Sequence, residues 1–140
     1  MNDWLEYKGS GSSRAYMGDT ISHAASTMLG KAREYASTRS SVKSAYDELL
    51  KLDSEITALG NEINRADKSR RKTLKTAAMS KYSLWKTKYA AFKTLLNEYK
   101  QLKPADTNMT NYNLYVRDSD DEGVPGNISD AAYKALFENK

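Results

Sequence analysis

Apolar side chains recur every seven residues through the first half of the chain: Ile21, Met28, Tyr35, Val42, Leu49, Ile56 and Ile63. From Ala45 onward a second set, Ala45, Leu52, Leu59 and Ala66, follows three residues behind successive rungs and completes an a/d seam. A heptad spacing sustained this far, with charges elsewhere, predicts coiled-coil packing. The earlier rungs have Ala24, Lys31 and Thr38 in the matching places, so the seam is weaker there. Asp19 and Thr20 are suited to cap the helix start. Gly30 and Gly60 each weaken the helix by about 1 kcal/mol relative to Ala.

A second stripe runs Leu74, Ala78, Tyr82, Trp85, Tyr89, Phe92, Leu96 and Tyr99, in steps of four and three. It stops at Leu102-Lys103-Pro104, where a basic last turn meets a residue that cannot continue a helix. Between the stripes the ladder position falls on Arg70, so the seam breaks there. A turn near 65–72 then folds residues 19–103 into a long antiparallel hairpin. The rival is one uninterrupted rod, because no Pro or Gly lies between 61 and 103. The hairpin is the better reading, since it buries the aromatics that a lone rod leaves bare.

The two ends differ from this middle. Residues 1–18 contain Gly9-Ser-Gly-Ser-Ser13, the composition of a flexible tether. Ahead of it, Trp4, Leu5 and Tyr7 are candidate anchors for docking on a protein partner. Residues 104–140 read as an acidic loop and a short closing helix. The alternation Tyr112-Asn-Leu114-Tyr-Val116 suggests an extended piece, laid over the hairpin or paired with another chain. Ser129 is the expected cap of the closing helix, Asp130 to Glu138. The fold expected is therefore all-α: a long antiparallel helical hairpin or coiled coil, with a flexible N-terminal tether and a small C-terminal helical cap.

Charge sharpens the picture. Residues 1–67 have a net charge of −2, residues 68–103 carry +10, and residues 104–140 carry −4. The modest overall +4 hides a strongly basic middle. Its densest part is Lys68, Arg70, Arg71, Lys72 and Lys75, the candidate basic surface. Coiled-coil flanking charge accounts for some of it, through Asp47, Glu48, Asp53, Glu55 and Glu62 on the first helix. Those acids are too few to neutralise the segment. The excess must meet solvent, an acidic protein surface, or nucleic acid, whose backbone Lys and Arg bind without regard to sequence.

Catalytic and metal motifs find little support. The chain has no Cys and one His, which removes thiolate chemistry and imidazole zinc sites. Gly30-Lys31-Ala32 lacks the earlier glycine and the Ser/Thr hydroxyl of a phosphate-binding loop. Asp118-Ser-Asp120-Asp-Glu122-Gly123 has the early spacing of a calcium loop, but Ser129 stands where the bidentate Glu belongs. His23 is solitary and reads as a capping or solvent-facing residue. No membrane span is expected, and the start does not read as a signal peptide. Neither an enzyme activity, a cofactor, a metal nor a small-molecule substrate is expected.

The leader Asp3-Trp-Leu-Glu-Tyr-Lys-Gly9, followed by a glycine tether with Arg14 and Tyr16 and then long helices, resembles small α-helical virion-associated proteins of tailed phages. The similarity covers about twenty residues. The coiled-coil pattern leads to the expectation of a non-enzymatic structural or assembly protein, cytoplasmic, that meets protein partners or further copies of itself; the resemblance implies that it is a virion component. Binding nucleic acid through helix 68–103 is the alternative function.

Overall fold

Helices account for all the regular structure among the described residues. The computed structural model describes the backbone of residues 12–138 and the side chains of residues 30–138. Helix α1 spans Ser12–Arg65, α2 Lys68–Gln101, α3 Met109–Glu122 and α4 Asp130–Tyr133, which passes into a π-helical turn, Lys134–Glu138. The chain falls into two units, one ending at Ser37 and the other covering Thr38–Lys140.

In the first unit the described backbone is the opening part of α1. The helix starts at Ser12, inside the stretch read as a tether. Arg14, Ala15 and Met17 favour helix, and Gly18 alone is too small a penalty to stop it.

The second unit is built on the hairpin. Only Ala66 and Asp67 separate α1 from α2. Asp67 caps α2, its carboxylate accepting from the Arg70 N–H at 2.8 Å. Arg71 Nη2 donates to the Ala66 carbonyl at 3.0 Å, satisfying an acceptor at the end of α1. Three cross-helix ion pairs fix the register: Arg70–Glu62, Lys81–Glu55 and Lys88–Glu48. As one number rises the other falls, so the helices are antiparallel. Val42, Leu49, Leu52, Ile56 and Ile63 are buried from α1; Ala78, Trp85, Tyr89, Phe92, Leu96 and Tyr99 are buried from α2. Leu49→Ala and Ile56→Ala, each emptying a site that water does not reach, are each expected to cost about 2–5 kcal/mol. Denaturant melts check this, and melts superimposable on the parent's would contradict it.

The tail is a third helical layer rather than a loop. Two residues past the end of α2, Lys103 takes the left-handed region (φ 51°) and is followed by Pro104. Arg39 then reaches Asp106 at 3.6 Å. From there α3 runs back along the hairpin toward the turn. Tyr112 meets Tyr46 and Phe92, Tyr115 meets Asp53 and Trp85, and Tyr82 donates to the Gly123 carbonyl.

The extended reading of Tyr112–Val116 is thereby corrected. Tyr112, Tyr115 and Ser119 share one helical face and are buried, whereas Leu114 is 42% exposed. The run Asp118–Glu122 closes α3, which Gly123 ends with φ 70°.

Beyond it Ser129 caps α4, its hydroxyl accepting from the Ala132 N–H at 3.1 Å. This helix crosses α1 at Gly60, where a Cβ would stand 2.6 Å from the Ala132 backbone. The glycine that weakens α1 is what admits its neighbour.

Candidate functional site

Two features of the second unit carry unusual chemistry: a basic face on α2 and a buried carboxylate on α1. The basic face follows from helical geometry. Lys68, Arg71, Lys72 and Lys75 are spaced i, i+3, i+4 and i+7, so they share one side of α2. With Thr76, Met79, Ser80 and Ser83 they line an open groove along the helix. Lys68, Arg71 and Lys72 are exposed, and Lys75 is half-buried.

Arg70, grouped with them in the sequence reading, belongs to a different row. It pairs with Glu62, and Lys81 and Lys88 continue that row against α1. Lys93 joins Asp120 of α3 at 3.1 Å, with its ammonium over the Tyr89 ring. The basic segment thus includes one row facing acids and another lining the groove. Its hydroxyl and Met79 lining was no part of the candidate surface read from sequence. The 3.6-residue period that sorts the lysines places those side chains too.

Asp53 departs most from expectation. Grouped above with the coiled-coil acids, it is instead fully buried and bonded to Tyr115 and the Asn127 backbone. The Tyr115 hydroxyl donates to its carboxylate, at 2.8 Å and 3.0 Å from the two oxygens. Trp85 Nε1 in turn donates to Tyr115 at 2.8 Å. Burial drives the Asp53 pKa from 3.8 up to about 7, against the lowering effect of the Tyr115 and Asn127 hydrogen bonds. The same burial, with the nearby carboxylate, pushes the Tyr115 phenol up.

At Asp120 and Asp106 the balance reverses. Tyr89 donates to Asp120 at 2.7 Å, and that bond, followed by Lys93, lowers the Asp120 pKa. Tyr99 does the same for Asp106, with Asn108 and Arg39 adding to it. Asp53 therefore ties α1 to α3 and, through Tyr115, to Trp85 of α2. It lines neither the basic groove nor the acidic depression around Asp118, Glu122 and Asp130.

The docking residues Trp4, Leu5 and Tyr7 lie outside the described residues. Among the described residues no group of three or more His, Cys, Asp or Glu side chains is placed to hold a metal ion. Nor is any described helix long and apolar enough to cross a membrane. No family model matches the sequence, and no curated protein or solved structure matches it either.

Proposed function

We propose that the chain is a structural or assembly protein, with no reaction of its own, acting through coiled-coil contacts with protein partners and above all with a second copy of itself. The observation that carries this reading is the length of α1. It has 54 residues, whereas α2 has 34. The Arg39–Asp106 pair lies just past the end of α2, so α2 is matched against α1 from that point to the turn. The heptad ladder starts earlier, at Ile21 and Met28, on residues that are already helical.

A seam of this period is buried by another helix, and a second copy offers an identical one, so symmetric pairing needs no other component. The aromatic leader, with Trp4, Leu5 and Tyr7 as anchors, gives such an assembly a contact for a further protein. A place in a tailed-phage particle accords with that leader.

Sedimentation equilibrium of the full chain tests the reading. Self-association is expected for the parent, and the double variant Ile21→Asp/Met28→Asp is expected to weaken it at least about tenfold, since each charge enters a seam. The melt of the Thr38–Lys140 unit should stay unchanged. A parent monomeric at every accessible concentration would overturn the proposal.

A further inference from the structure

The charges at the start of α2 stand where helix physics disfavours them. A helix N-terminus carries partial positive charge, so acids stabilise the first turn and bases oppose it. The first turn of α2 contains no acid, and Lys68, Arg70, Arg71 and Lys72 fall within its opening residues. Arg70 and Arg71 have local uses, one against Glu62 and one on the Ala66 carbonyl. Lys68 and Lys72 remain exposed on the groove side, beside Lys75. Within α2 the first acid is Glu98. The Asp67 cap carboxylate offsets the dipole at the first turn, but repulsion between bases three and four residues apart remains along the row, so a ligand that supplies negative charge would stabilise it.

We propose that the row Lys68, Arg71, Lys72 and Lys75, continued by the hydroxyls of Ser80 and Ser83, is a sequence-independent contact surface for the phosphate backbone of duplex nucleic acid. The row extends about 10 Å along the helix at 1.5 Å per residue, long enough to meet more than one phosphate of a strand. Hydroxyl groups on the same line suit phosphate oxygens, which only accept hydrogen bonds.

An acidic protein is the weaker fit. Among the groove residues the only large apolar side chain is Met79, and protein interfaces rest on buried aromatic or Arg anchors in a dry centre. Unpaired strands are also a weaker fit, because they need free aromatic faces. Tyr82 is stacked with Trp85 and meets Phe137 edge-on, and Trp85 and Tyr89 are buried.

Fluorescence anisotropy of the full chain with a labelled random-sequence DNA duplex is the test, read at about 50 and about 200 mM salt. Neutralising four phosphates predicts a fall in affinity of roughly a hundredfold between those salts. The variant Lys68→Gln/Arg71→Gln/Lys72→Gln/Lys75→Gln should lose most of both the affinity and the salt dependence. Lys72→Gln/Lys75→Gln should lose about half of the slope, which keeps the test informative if the quadruple variant folds poorly. A charge-matched control, Lys51→Gln/Lys100→Gln/Lys103→Gln/Lys134→Gln, should bind within about threefold of the parent. Absent binding by the parent, equal losses in row and control variants, or tighter binding of polyglutamate than of duplex would each overturn the proposal.

Discussion

Raising the pH from about 5 to about 8 is expected to destabilise the Thr38–Lys140 unit, and Asp53→Asn is expected to remove most of that dependence. The folded unit holds the Asp53 proton up to about pH 7, whereas an exposed carboxyl releases it near 3.8. Between those values the folded state binds more protons than the unfolded one, so stability falls as pH rises. The contribution is complete below the lower value, is lost through the interval, and changes no further above it. Its full size is on the order of 4 kcal/mol.

Asp106 and Asp120 act in the opposite sense, because their folded pKa values are depressed. Their contribution is present above the ordinary carboxylate value and disappears as the pH falls below it. The two windows do not overlap, so the Asp53 slope can be isolated. Urea titrations across the pH series measure it, and parallel profiles for parent and Asp53→Asn would show that Asp53 is not its source.

Two neighbours on α2 should respond very differently to the same truncation. Trp85 is 2% exposed, stacked on Tyr89 at 4.7 Å between centroids, and donates to Tyr115. Trp85→Ala is expected to cost about 3–5 kcal/mol for the lost packing. It also removes the donor that holds Tyr115 toward Asp53. Leu84 is 46% exposed, so Leu84→Ala should stay within about 0.5 kcal/mol of the parent. Comparable midpoints in guanidinium for the two variants would contradict the packing described.

The hairpin was readable because its signal is periodic and long. Leu49, Ile56 and Ile63 repeat every seven residues, and the Trp85-Tyr89-Phe92-Leu96-Tyr99 stripe has the helical step. Helix α3 was not readable for a related reason. Asn and Asp lower its propensity, and Tyr112, Leu114 and Val116 alternate as a strand would. Burial of Tyr112 and Tyr115 against Tyr46 and Phe92 decides the matter, and that is a tertiary fact.

Asp53 shows the dependence most clearly. One residue beyond Leu52, it occupies a flanking heptad position where charge normally meets solvent. The return of the tail, through Tyr115 of α3 and the Asn127 backbone beyond it, meets it instead. The basic row was visible as composition, but its separation from Arg70 and Lys81 depends on which side of α2 faces the acids of α1.

The contact between Gly60 and Ala132 also has a bearing on the order in which the molecule assembles. The hairpin closes through two residues, a loop that costs little entropy, and it can zip from partners close in sequence, such as Arg70 and Glu62, toward more distant ones. The tail must return over far longer distances, from Tyr115 to Asp53, Ser129 to Thr57 and Ala131 to Asn64, 62 to 72 residues apart. Closure of that distant crossing is therefore expected on the late side of the folding barrier, so substitutions at Gly60, Ser129 or Ala132 should chiefly speed unfolding and leave the refolding rate near the parent's, which stopped-flow chevrons check.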